Sequence, residues 1–429
     1  MNLDRLISTL NWLLILLPIS IIAGNSIINV HFTLFILIGI FYLVQKKIKL
    51  HNKFLIFSFL LFCLVLILSS FYNQFNIDKS FYYLRFFIFY LICSHLLIEK
   101  KINIKKIFYF YAVPIAIICI DLNFQNIVGY NLVGLKIFEN LGATSFFYDE
   151  KIAGSFVQGF GFFLIFFIFD FFKKNNLINI LLKATLISII SIAIFVSLQR
   201  MPMIIWIMFL SIYGLIFFKT KLISVIFSFV FLFVFVNNFA SEKSKIIYKS
   251  FFSNALVVME KSYYNYETNK NKKRLEEIRS DLNSAREFVR GSGHANLFAN
   301  ALYIWEQNKF LGIGYKNFYN ECAKRKLLRC STHPHNYYLD ILVSTGVIGL
   351  SIFLIFLITI FIKSIKILNY NYQRKMGEKI NINLILLINY LMVFFPFKSS
   401  GSFFTTSNAT YIILILSLLT SQLSKKIDK

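Results

Sequence analysis

The sequence predicts an all-α, polytopic membrane protein with about twelve transmembrane helices. Three observations predict it. First, 57% of the 429 residues are hydrophobic, 52 of them Phe, and the mean hydropathy is +0.66. That is more apolar surface than a soluble core absorbs. Second, apolar runs of about 17–25 residues recur along the chain, each long enough to cross a bilayer. Third, lysines fall in every second connection between those runs, as cytoplasmic loops require.

The expected helices span about residues 10–28, 30–45, 53–71, 80–98, 105–122, 154–172, 177–197, 202–218, 221–239, 336–362, 380–397 and 408–424. No small-residue cleavage site follows the first run, so it reads as a retained helix. Lysines cluster at Lys46, Lys47, Lys49 and Lys53, at Lys100, Lys101, Lys105 and Lys106, and at Lys173 and Lys174. They cluster again at Lys219 and Lys221, between Lys363 and Lys379, and at Lys425, Lys426 and Lys429. The intervening short connections, such as Leu198 to Pro202 and Lys398 to Asn408, are poor in lysine. This parity puts both termini in the cytoplasm. Most of the formal net charge of +25 is therefore topology, not a nucleic-acid surface.

The stretch from about Ala240 to Pro334 has the parity of an outside loop yet is basic; long loops cross largely regardless of charge. Leu275, Ile278, Leu282 and Ala285 recur there at helical spacing, as do Leu297, Phe298, Ala301, Leu302 and Trp305. Gly312-Ile313-Gly314-Tyr315 ends the second of these helices. The loop reads as a small, mostly helical subdomain. A shorter outside segment, Asn123 to Ala153, carries Gly129, Gly134 and Gly142 and reads as a loop packed on the membrane face. Cys63, Cys93 and Cys119 lie in apolar helices as small core residues. Cys322 and Cys330 lie in the large loop, where an oxidising compartment would join them in a disulfide.

The chemistry concentrates at Ser331-Thr332-His333-Pro334-His335-Asn336, where the polar loop meets a long apolar helix. Proline disfavours helix at the preceding residue, so His333 is expected to be extended. His335 and Asn336 are expected in the first turn of the helix, where unpartnered N–H groups welcome anions. Either histidine suits a general base, since imidazole titrates near neutrality. Their spacing around a proline suits one metal centre poorly, and no metal or other cofactor is expected. Arg200 follows an apolar helix at the outer surface and suits bidentate phosphate recognition; the alternative is a snorkelling helix-end residue. Arg85 is an ionisable residue near the outer end of the fourth helix. Arg286, Arg290 and His294 are spaced four apart and would share one helix face, able to clamp a second phosphate or simply to meet solvent.

These residues resemble the superfamily of O-antigen ligases and O-antigen polymerases. The shared domain would cover 180–354, including the outer loop 240–335, with six helices before it (1–179) and the last helices and tail after it (355–429). The strongest element is His335-Asn336, nine residues, Gly346, two residues, Gly349. Gly312-Ile313-Gly314-Tyr315-Lys316-Asn317-Phe318 is similar to the family's Gly-x-Gly-x-x-x-Phe turn, and Arg200 to its Ser-x-x-Arg. The stretch Asp149-Glu150 to Gly154-Ser155 is similar to one branch of the family. Two departures stand out: Ser344 occupies a position where Glu is common, and His294 one where Arg is common, with Arg290 four residues earlier.

The resemblance implies a GT-C-like fold and a metal-independent glycosyltransferase of lipopolysaccharide or surface-polysaccharide biosynthesis. The donor would be an undecaprenyl-diphosphate-linked glycan. The acceptor would be lipid A-core or a growing glycan, and the large loop would be periplasmic. His335 or His333 would be catalytic, Arg200, Arg290, His294 and Arg286 would bind diphosphate, and Asn336 and Arg85 are further candidates. The ligase-type spacing favours a ligase over a polymerase. A transporter or lipid-glycan flippase is a more distant alternative, because it would place ionisable residues near the bilayer midplane, whereas Asp121 and Asp170 lie near helix ends.

Overall fold

The computed structural model describes residues 3–45, 51–137, 142–216, 220–271 and 293–423. Arg286, Arg290 and the Leu275–Ala285 periodicity lie outside the described residues. The described residues form helices joined by turns, with one isolated bridge between Tyr130 and Lys136 and no strand.

The protein is a polytopic, all-helical membrane protein. Among the described residues eight helices are long and apolar enough to cross a membrane, or nine if the bent pair α1 (Leu3–Ile15) and α2 (Leu17–Ala23) is one span. The other expected positions also hold helices, but shorter or more polar ones. α10 (Arg200–Ile216) and α16 (Gly377–Val393) have 17 residues each, and α17 (Thr406–Leu423) carries Thr, Ser and Gln among its apolar residues. The N-terminal boundaries also differ from expectation. The first span starts at Leu3 and bends by 47° before Leu17, and α3 (Asn25–Gln45) absorbs the end of the expected first helix.

α4 (Lys53–Tyr72) packs along α15 (Tyr337–Gln373), with Phe59 on Phe356 at 5.5 Å and Phe62 on Phe353 at 4.9 Å. α5 (Ile77–Tyr82) and α6 (Leu84–Ile98) form one broken span, and α7 (Ile104–Val128) packs its Phe108 edge-on to Phe163 and Phe166 of α8 (Ala153–Phe171). α9 (Leu177–Val196) meets α11 (Thr220–Asn238) through the Ser188 hydroxyl, which donates to the Ser228 carbonyl. Buried serines of this kind act as polar contacts between apolar helices.

The subdomain between α11 and α15 packs α12 (Glu242–Lys270) on α13 (Gly293–Glu306), with Asn265 bonded to Asn296 and Asn269 to Asn300. Leu297, Ala301, Ile304, Ile313, Phe318, Cys322 and Leu327 form its core, and that core includes Val343 of α15. α14 (Phe318–Lys324) carries Cys322, which is disulfide-bonded to Cys330. The subdomain and the outer end of α15 are thus one packed unit.

That unit closes around a break in α15. Gly346 has φ 65° and ψ −169°, a conformation essentially restricted to glycine. The break frees backbone groups that the turn after α13 satisfies. Val347 N donates to Lys309 O, Ile313 N to Val343 O, and Gly314 N to Ser344 O, at 2.8, 2.9 and 3.1 Å. Ser69 of α4 donates to the same Ser344 carbonyl at 2.7 Å, and its neighbour Ser70 accepts from Tyr315 N at 3.0 Å. A Cβ on Gly346 would lie 2.0 Å from Phe310 O, and one on Gly312 would lie 2.4 Å from Val343 O. A Cβ on Gly349 would lie 2.1 Å from Thr345 Oγ1, a side-chain atom of its own helix and not a backbone atom of another segment.

Gly346→Ala is therefore expected to destabilise by on the order of 3 kcal/mol, from backbone strain alone before the clash is added. Gly349→Ala is expected to cost less. Thermal melting of both variants in detergent orders them, and equal midpoints would contradict the role assigned to the break.

Candidate functional site

α15 starts at Tyr337, not two residues earlier. Asn336 is its N-cap: Oδ1 accepts from Tyr338 N at 3.0 Å and Leu339 N at 3.2 Å. His335 precedes the cap in the left-handed region, φ 59°. The expectation that both residues sit in the first turn is corrected accordingly. An Asn side chain caps best from an extended residue just outside the helix, and Asn336 is extended. The cap also faces outward. Its Nδ2 donates to Pro396 O at 2.8 Å in the connection between α16 and α17.

That connection threads through the histidine motif. Ser400 N donates to His335 O at 2.9 Å, and the Ser399 hydroxyl lies 3.3 Å from His294 Nε2. Asp340, in the first turn of α15, accepts from the Ser402 hydroxyl at 2.7 Å and from Phe403 N at 2.9 Å. The result brings three of the six histidines together. The His333 and His335 rings are 4.1 Å apart and the His294 and His335 rings 5.2 Å apart, centroid to centroid. Thr332 Oγ1 lies 3.0 Å from His333 Nδ1, and His333 Nε2 is buried.

Arg200 is the first residue of α10 and is exposed. The turn before it is set by Leu198 at φ 54° and by Gln199, whose Oε1 accepts from Ser155 N at 2.9 Å and from the Ser155 hydroxyl at 2.7 Å. Gly154 makes this approach possible, because a Cβ there would lie 2.1 Å from Ser197 Oγ. The N-terminus of α8 is thereby docked onto the start of α10. The shorter outside segment joins the same turn through Ala143 N, which donates to Val196 O at 3.0 Å.

Electrostatically the site is cationic. Burial, then the charges of His335, Arg329 and Arg200, push His294 down to about 4. Burial, then His335, push His333 down to about 4 against the opposing hydrogen bond to the Ser400 backbone. His335 is lowered too, chiefly by burial. Burial and the Arg200 charge lower Lys151, and burial lowers Lys398 to about 8. The N-termini of α8, α10 and α15 add partial positive charge at the same end of the bundle. At neutral pH the three imidazoles are neutral, so each has a lone pair able to take a proton.

Arg85 is engaged elsewhere. Its guanidinium donates to Asn29 of α3 and Thr406 of α17, both at 3.0 Å, and stacks over Tyr82 at 4.0 Å. These contacts make it an interhelical tie. Among the described residues no three His, Cys, Asp or Glu side chains converge as a metal ion would require. Sequence reasoning missed Lys398, Ser399 and Ser400, which the α16–α17 connection brings to the histidines. The available signal was a lysine in a connection otherwise poor in lysine.

No curated protein matches the chain. Residues 184–354 match the family model for O-antigen ligase. This span contains Arg200, His294, the glycine turn, His333, His335 and the break at Gly346, so the part of the chain that holds these residues is the part similar to that family.

Proposed function

We propose that the protein is an O-antigen ligase: it transfers a glycan from undecaprenyl diphosphate to a sugar hydroxyl of a lipid-anchored acceptor at the periplasmic face of the inner membrane. The observation that carries this reading is a neutral histidine, His335, seated beside cations at the start of α15. In the proposed reaction the acceptor hydroxyl gives its proton to the His335 imidazole as its oxygen bonds to the anomeric carbon. The bond from that carbon to the diphosphate oxygen breaks, and its electron pair leaves with the phosphate. Arg200 and His294 take the developing negative charge and the apolar helices hold the polyprenyl tail; fixed donors aimed at such charge are the largest single contribution in many enzymes. His333, in contact with His335, orients it. Arg290 and Arg286 remain proposed contributors to phosphate binding from the basic loop.

His335→Asn is the informative substitution, because Asn tolerates the left-handed backbone but cannot serve as the base. Transfer is expected to fall about 100-fold or more, with an unchanged melting midpoint. Transfer at the wild-type rate would overturn the assignment. A strain lacking the protein is expected to accumulate long lipid-linked glycan; one-repeat caps on the acceptor would instead identify a polymerase.

The pH dependence follows from the lowered histidine. His335 is neutral above its ordinary value of 6.5 and stays neutral some way below it, because burial disfavours the imidazolium. The acid limb of the transfer rate is therefore expected to fall below pH 6.5. A midpoint above 6.5 would exclude His335 as the base. Stability carries the same sign. The unfolded chain takes up protons near 6.5, while His294 and His333 resist to about 4, so stability is expected to fall as pH drops through that window.

A further inference from the structure

Lys398 lies outside everything the O-antigen ligase match covers, since that match ends at residue 354. Its position is nonetheless determined by the histidine motif. Asn336 Nδ2 is within 3.4 Å of the Lys398 carbonyl, Ser399 contacts His294, and Ser400 N holds the His335 carbonyl. The side chain runs the other way, to α8, where Nζ donates to Gln158 Oε1 at 3.1 Å. Gln158 is fully buried, and with its oxygen turned to Lys398 its Nε2 has no hydrogen-bond partner. Among the described residues no carboxylate lies within salt-bridge distance of Lys398, and its side-chain partner is neutral.

A half-buried ammonium with only an amide for company is costly to keep charged. A pair of amide donors left without an acceptor beside it adds to that cost. Both costs vanish if an anion sits there: the ammonium gains its counter-ion and the amide gains an acceptor. Gln158 and Ser155 are three residues apart on α8 and share a face. Ser155 is bonded to Gln199, the residue before Arg200. One face of the first turns of α8 therefore touches both the Arg200 turn and Lys398.

We propose that Lys398, with the Gln158 amide, is a second binding point for the donor's diphosphate, working with Arg200 across the start of α8. The proposal rests on the donor reading above and names a residue that reading does not supply. The fold then divides the leaving group between cations from two parts of the chain, the α9–α10 turn and the α16–α17 connection.

The test is equilibrium binding to purified protein in nanodiscs, titrated with undecaprenyl diphosphate and, separately, inorganic pyrophosphate. Lys398→Gln is expected to weaken both about tenfold, the worth of one charged hydrogen bond, and Lys398→Arg to restore most of the affinity. Gln158→Glu separates binding from structure. A carboxylate there pairs with Lys398, so the melting midpoint is expected to rise while affinity for undecaprenyl diphosphate falls. A purely structural Lys398 would give the higher midpoint with unchanged affinity, which overturns the proposal. So would a Lys398→Gln protein that binds undecaprenyl diphosphate as wild type does, even if pyrophosphate binding changes. Failure of the wild-type protein to bind any polyprenyl diphosphate overturns the donor reading itself.

Discussion

The backbone pairing between the broken helix α15 and the turn that follows α13 holds the α12–α14 subdomain and the histidine motif in place. A helix interrupted in an apolar setting leaves carbonyl and amide groups that water cannot reach, and each must find a partner within the protein. Lys309 to Gly314 supply those partners, and Ser69 of α4 supplies another. Two glycines allow the approach because the backbones sit closer than any Cβ permits. The same bonds tie the loop subdomain to the membrane bundle, so the loop and the membrane helix are packed as one unit.

This constraint explains the distance between the His-Asn pair and the first glycine. Nine helical residues rise about 14 Å, which sets how far the histidines stand above the break. A cap at Asn336 fixes one end and the Gly346 break fixes the other. The histidines then sit outside the helix, where His335 can hold a left-handed backbone and present its ring to His294 and His333. If His335 is the base proposed above, the cap and the break hold it in place before any substrate arrives.

The electrostatic design is one-sided. Elsewhere the fold pairs charges: Lys105 with Asp170 and Glu378, Lys270 with Glu306, and Arg325 with Glu321. At the histidine end, burial lowers the histidines and Lys398, and like charge lowers the histidines further. A surface built that way costs stability in the absence of an anion. Clusters of perturbed groups in one location are what functional sites have in common, although ion-pair networks also perturb pKa values.

Much of this protein follows from its sequence alone. Apolar runs and alternating lysines determine a helical membrane protein because the bilayer leaves few other ways to satisfy a backbone. The His335-Asn336 pair, Gly346 and Arg200 were singled out from the sequence by spacing and by their place beside apolar helices, but the expected helix ran on through Gly346 and took in Asn336. Tertiary structure decided what no local signature carries. Arg85 looked like a site residue, but Asn29 and Thr406 arrive from distant helices to engage it. His335 left the helix because Asn336, one residue later, took the cap and bonded to the α16–α17 connection. Lys398 joined the site for the same reason, brought there by contacts more than sixty residues away in sequence, between Asn336 and Lys398 and between Ser400 and His335. Local preference sets where helices start and stop; only packing decides which of their ends meet, because that depends on which distant groups can satisfy one another.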